Sequence, residues 1–160
     1  MKRKRLVHFS LVLFAGAAQL TGAHPAGEAL ALTIAAPEVS VRESNLTLQV
    51  TMTNRTAQPM TLFKTNPGCD FAAEVKDANG HRVPLTQAGA ELSRCQKHLI
   101  LGRRILVTLK PGDSTDESYP IDLYYGLVRP GSYTVQLTRE VPAQPDHISQ
   151  SNEIVLNLVR

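Results

Sequence analysis

Two cysteines and five histidines carry most of the reactive chemistry in this chain of 160 residues. Cys69 and Cys95 stand 26 positions apart. A thiol pair built for redox work is spaced Cys-x-x-Cys, so in an oxidising compartment this pair predicts a structural disulfide. Closing a loop of that length contributes about 3.5 kcal/mol by the chain-entropy estimate. Metal ligation competes with that reading, because Cys95 and His98 have a ligand-like spacing that Cys69 could join. A structural zinc takes four protein ligands. No fourth stands near, which favours a disulfide and a solvated His98. His81 follows the Asn79-Gly80 turn and reads as an exposed hairpin residue.

Three further groups have the right residue types for a site. If cleavage follows Ala23, the chain begins His24-Pro25, and His24 offers an α-amino and an imidazole nitrogen to one copper ion. Asp113, Asp116 and Glu117 crowd one turn and could hold calcium, although no Asp-x-Asp-x-Asp-Gly loop surrounds them. Tyr124-Tyr125 supplies either a binding platform or a crossover packed over the end of the fold. Catalytic patterns are missing: there is no Gly-x-Ser-x-Gly, no His-Glu-x-x-His and no glycine-rich phosphate loop. The acidic pairs are neighbours in turns, which gives no reason for the split pKa values that acid–base work needs.

The first residues set the compartment. Met1-Lys2-Arg3-Lys4-Arg5 precedes an apolar run over 6–20 and the small residues Gly22-Ala23, the pattern of a cleaved secretory signal at 1–23. The run is about fifteen residues, short of the ~20 that span a bilayer. Cleavage removes four basic residues and no acidic one, leaving 13 of the 17 Lys and Arg against 14 Asp and Glu. The basic balance therefore belongs to the signal and does not predict nucleic-acid binding.

The elements that must position any site follow a period of two. Leu30, Leu32 and Ile34 alternate with Ala31 and Thr33, and Val39 and Val41 resume the strand beyond Pro37. Leu46, Leu48, Val50 and Met52 predict a second strand with one buried face, ending in a turn over 54–58. A short strand carries Phe63, the turn 65–68 follows, and Phe71, Ala73 and Val75 share a face. Residues 85–103 show neither period, apart from one helical turn over 88–92. Ile105, Val107 and Leu109 point inward, and Pro120 either confines its strand to an edge or ends it early. Pro111-Gly112 and Pro130-Gly131 are turns whose glycines supply a positive φ. Tyr133, Val135 and Leu137 open the strand 133–141, a polar loop covers 142–152, and Ile154, Leu156 and Leu158 form the last strand. About eight short strands with turn signals every ten residues predict an all-β sandwich.

Pro130-Gly131-Ser132-Tyr133-Thr134-Val135 resembles the corner of immunoglobulin-like domains, where a tyrosine hydroxyl bonds back to backbone a few residues upstream. Val135 stands where antibody domains have their second cysteine, and tryptophan is absent, so the resemblance is to the wider immunoglobulin-like class. The series Leu109-Lys110-Pro111-Gly112, Asp122-Leu123-Tyr124, Pro130-Gly131-x-Tyr133-Thr134 and Ser151-Asn152 is similar to bacterial secreted immunoglobulin-like domains. It is similar more faintly to the BsuPI-type proteinase inhibitor domain. These resemblances imply an immunoglobulin-like β-sandwich with Tyr133 and Gly131 as its structural corner. His24-Pro25 also resembles the start of CopC-type copper carriers, which add a histidine from an Asp-x-His; here Asp146-His147 are adjacent.

The expectation is therefore a signal peptide at 1–23, a leader at 24–29 and one domain over 30–160. It would bind a protein or cell-envelope component through the loops 85–103, 123–129 and 142–152, without catalysis, cofactor, nucleic acid or membrane span. Copper carriage through His24 and His147, and proteinase inhibition, are the two other functions these residues leave open.

Overall fold

The computed structural model describes residues 28–36, 46–92, 95, 104–141 and 144–159. The signal peptide, His24, His98, Val39, Val41 and most of 85–103 lie outside them. Among the described residues the elements are β1 (Leu30–Ala35), β2 (Thr47–Asn54), β3 (Met60–Lys64), α1 (Pro67–Asp70), β4 (Ala72–Asp77) and α2 (Gln87–Leu92), then β5 (Ile105–Leu109), β6 (Ser114–Pro120), α3 (Ile121–Tyr124), β7 (Gly131–Val141), β8 (Gln144–Gln150) and β9 (Ile154–Leu158).

Alternating sequences became antiparallel strands. β1, β2 and β6 form one sheet in that order, with Leu48 opposite Tyr119 and Val50 opposite Glu117. β7 is the centre of a second sheet, pairing with β4 along one edge and with β8 and β9 along the other. β3 and β5 form a two-stranded ribbon. The inner faces of both larger sheets meet in one apolar core that includes Leu32, Leu48, Val50, Leu62, Val75, Val135 and Leu137. Each such side chain contributes about 1.5–3 kcal/mol through burial.

Four expectations change. The polar stretch expected as a loop over 142–152 contains β8, because an edge strand needs a partner on one side only and so accommodates Pro145. A register shift at Glu140/Val141 absorbs the local misfit. Ile105 is 55% exposed instead of inward; it pairs with Lys64 at the far end of the ribbon, where the core has ended. The turn at 65–68 continues into α1, with the Asn66 side chain accepting from the Gly68 N–H and Pro67 at the first helical turn. The helical turn expected over 88–92 is α2, whereas α3 forms a helical turn where the sequence suggested the end of a strand. Pro120 is the last residue of β6, an outer strand, as its missing N–H requires.

Gly112 and Gly131 have φ of 83° and 148°, which only glycine adopts without strain. Beyond Gly131 the Tyr133 hydroxyl donates to the Arg129 carbonyl at 2.7 Å. The 77–81 turn is held by the Asp77 carboxylate, which accepts from the backbone N–H groups of His81 and Asn79 at 2.9 Å each. Those bonds, that of His81 foremost, hold the Asp77 carboxyl below its usual range.

Polar side chains close the gaps between sheets. Ile34 on β1 donates its N–H to Asn152 Oδ1 at 2.8 Å, and its carbonyl accepts from Asn152 Nδ2 at 3.0 Å. Ser149 donates to the Leu30 carbonyl at 2.7 Å. Asn54, expected in a turn, is the last residue of β2 and fully buried. Its Nδ2 donates to the carbonyls of Gln58 and Leu109, and its Oδ1 accepts from the N–H and hydroxyl of Thr56. Asn54→Ala should cost about 2–3 kcal/mol, read as a lower urea midpoint, because it removes the side-chain donor to the buried Leu109 carbonyl and the acceptor of the Thr56 N–H; a midpoint unchanged from wild type would refute this role for Asn54.

Candidate functional site

Strand phase brings a group of charges into the interior. On β7 the buried side chains Tyr133, Val135, Leu137, Arg139 and Val141 alternate with more exposed ones, so Arg139 is 5% exposed inside the fold. Its guanidinium lies 5.0 Å from the Phe71 ring centroid, a cation–π contact, and Nη2 donates to the Phe63 carbonyl at 2.5 Å. On β6, Thr115, Glu117 and Tyr119 share the inner face. The Lys64 ammonium lies 3.8 Å from Glu117 Oε2 and donates to the Asp116 carbonyl at 2.8 Å. Glu117 Oε2 and Arg139 Nη1 have no hydrogen-bond partner among the described residues. Burial pushes the Glu117 carboxyl up, with Lys64 opposing the shift. Burial lowers the Arg139 guanidinium, with Asp70 and Glu117 opposing it.

Phe71 separates this group from an aromatic cavity of about 100 Å³. The described residues lining it are Phe71, Tyr119, Tyr124 and Tyr125 with the aliphatic Leu85 and Leu92, the alanines at 72 and 73, and the glycines at 68 and 89. The Tyr119 ring packs edge-on against Phe71 and Tyr124, at centroid distances of 6.2 and 5.0 Å. Helix α3 seats Tyr124, whose hydroxyl donates to Asn66 Oδ1 at 3.1 Å, while the Tyr125 hydroxyl donates to the Ala73 carbonyl at 2.6 Å. Burial raises the pKa of all three phenols, so each stays protonated. Gly89 allows α2 to press against α3: a Cβ there would sit 2.1 Å from the Tyr124 carbonyl oxygen.

Cys69 on α1 and Cys95, just beyond α2, are joined as a disulfide across a Cα separation of 5.3 Å. Thus α1 and the segment after α2 are tied together beside the cavity. Tyr124 and Tyr125 are buried at 3% and 9% exposure, which places them over the end of the core and not on an exposed platform. Asp113, Asp116 and Glu117 do not converge: Asp113 accepts from the Lys110 N–H, Asp116 accepts from the Thr51 hydroxyl on the outer face, and Glu117 points in. Among the described residues no group of three His, Cys, Asp or Glu could hold a metal. His147 is exposed on β8 and His81 is exposed; the expected copper partner His24 lies outside the described residues.

Sequence reading missed Arg139, the inward position of Glu117, which it had placed in an acidic turn, and the cavity. The first two were signalled by polar residues falling in phase with a buried face; the cavity had no local signal, because its lining comes from β4, β6, α1, α2 and α3.

The sequence matches no protein-family model and no curated protein. Among solved structures it is similar to the β-glucuronidase of Bacteroides uniformis, with a TM-score of 0.40 and 15% identity over 80% of this chain. The match spans 13% of that enzyme's chain. No helix among the described residues is long and apolar enough to cross a membrane.

The raised Glu117 pKa has a definite sign. The folded state holds that proton more tightly than the unfolded state, so its stabilising contribution is present below the unfolded pKa and is lost as pH rises through the folded value. Glu117→Gln should therefore gain on wild type as pH climbs from about 4 to 7 in paired urea titrations. A difference that stays constant across that window would contradict the buried carboxylate's role.

Proposed function

We propose that this chain is an exported immunoglobulin-like domain that acts by binding a protein or cell-envelope component, and not by catalysis. The observation supporting it most is the preformed aromatic cavity at the end of the core where α1, α2 and α3 meet. Concave, mostly apolar sites with a few polar groups are the usual form of a binding pocket. The described lining has no nucleophile beside a base and no carboxylate pair, and its protonated phenols suit contact more than proton transfer. Leu85 and Leu123, 42% and 51% exposed, extend the apolar surface on that side of the molecule.

The immunoglobulin-like assignment rests on one sheet of β1, β2 and β6 and another around β7 sharing a core, together with the Tyr133-to-Arg129 corner bond. Export rests on the basic-apolar start of the chain and on the Cys69–Cys95 disulfide, a bond that persists in oxidising compartments.

Two measurements test this reading. Protein recovered after export should have the intact mass of residues 24–160 and no thiol open to alkylation until reduced; retention of residues 1–23, or two free thiols, overturns export. Envelope extract passed over immobilised wild type should leave a component that is lost with both Ala73→Leu, which fills the cavity, and Leu85→Asp, which charges its rim. A component held equally by all three proteins, or none held by wild type, overturns binding at the cavity.

A further inference from the structure

The two-stranded ribbon has an open side. β5 pairs with β3 along one edge, and along the other no strand among the described residues pairs with it. Its extensive contacts with other described elements are likewise with β3 alone. A bare edge of this kind presents backbone N–H and C=O groups to any incoming strand, and proteins commonly cover or charge it. β1 has the Asn152 amide on its free edge. Over 105–108 no side chain among the described residues bonds the backbone of β5.

The side chains along this strand divide into an apolar middle and two cationic ends. Arg104, Leu106, Thr108 and Lys110 fall in one phase of the alternation. All four are exposed, Leu106 at 63%. Phe63, 42% exposed, stands directly opposite Leu106 on β3. Neither Arg104 nor Lys110 has an ion pair among the described residues. Asp113, the nearest acid in sequence to Lys110, accepts from the Lys110 backbone N–H.

Those charges select the occupant. A second copy of β5 laid antiparallel over the full strand would set Arg104 against Lys110 of that copy at both ends, and like charges directly opposite destabilise a ladder. The complement is a strand with a carboxylate at each end, spaced as the two cations are, and apolar side chains between them on the same face.

We propose that the open edge of β5 binds an extended segment of a partner protein by strand addition, its two terminal carboxylates facing Arg104 and Lys110. Main-chain hydrogen bonds supply the affinity and the flanking charges the selectivity. An apolar side chain of the added strand lies beside Leu106 and extends the Phe63–Leu106 pair across a third strand. None of these residues lines the aromatic cavity, so the two surfaces can be tested separately.

The probe is the acetylated and amidated peptide Glu-Thr-Val-Thr-Val-Thr-Glu. Its sequence reads the same in both directions, so it offers an acid to each cation in parallel or antiparallel addition. Titrated into the exported protein at low ionic strength, where screening is weak, it should saturate and shift the backbone amide NMR signals of β5. Replacing both of its Glu residues by Lys should weaken binding roughly ten-fold. A double variant, Arg104→Glu with Lys110→Glu, should reverse that preference. N-methylating one alternate set of the peptide's amides should abolish binding, while methylating the other set should be tolerated, because only alternate residues of an added strand bond the edge. Ala73→Leu, which fills the cavity, should leave the affinity unchanged. Equal affinity for the acidic and basic peptides, tolerance of both methylated sets, or no binding to wild type overturns the proposal. Loss of binding in Ala73→Leu places the peptide in the cavity and overturns the edge site. A wild type that sediments as a dimer, becomes monomeric with Leu106→Lys and binds no peptide identifies a second copy as the occupant, and likewise overturns it.

Discussion

A carboxamide standing in for a strand is the contact on which the architecture turns. β1 has β2 on one side, and on the other its Ile34 N–H and carbonyl are both met by the side chain of Asn152. An unpaired sheet edge is a row of unsatisfied donors and acceptors open to any passing strand. Here one planar amide satisfies a donor and an acceptor at once, as a neighbouring peptide group would. Ser149 supplies a single donor to the Leu30 carbonyl on the same edge. The two sheets are thereby joined at the point where the chain breaks between β8 and β9, and that break is fixed by Ser151, which accepts from the Leu137 N–H at 2.9 Å through its hydroxyl oxygen.

The same solution recurs wherever the three sheets would otherwise part. Asn54 ties the end of β2 to Leu109 on β5, and Arg139 on β7 reaches the Phe63 carbonyl on β3. Lys64 on β3 reaches the Asp116 carbonyl on β6. Each bond joins strands that do not pair directly. The cost is that charged atoms are drawn inside: Arg139 and Glu117 are desolvated, and their shifted proton affinities show it. Phe71 stands between those charges and the aromatic cavity, with the guanidinium on its face and Tyr119 at its edge.

How much of this was legible depends on which period a residue obeys. The strands with clear alternation read directly, because Leu46, Leu48, Val50 and Met52 allow only one buried face. Extending the same count one step further reaches Asn54, and the count from Tyr133 through Leu137 reaches Arg139. These polar residues in apolar phase were the available signal for the sheet-bridging contacts. β8 was hidden by Pro145 and by its polar composition, since an edge strand is stabilised by its partner's backbone more than by its own apolar face. Ile105 misled in the opposite sense: its alternation is sound, yet the ribbon runs past the core. The cavity was illegible, for its walls meet only after helices from three parts of the chain have packed.

The amide at Asn152 also sets how the protein would age. Deamidation would replace its Nδ2 donor with a carboxylate oxygen, which would then confront the Ile34 carbonyl in place of a hydrogen bond. While the edge is closed, both ends of the carboxamide are engaged by the Ile34 backbone. Each opening of β1 from the β8–β9 link therefore exposes the residue to a covalent change that prevents reclosure, and a reversible fluctuation becomes a one-way loss of the native state.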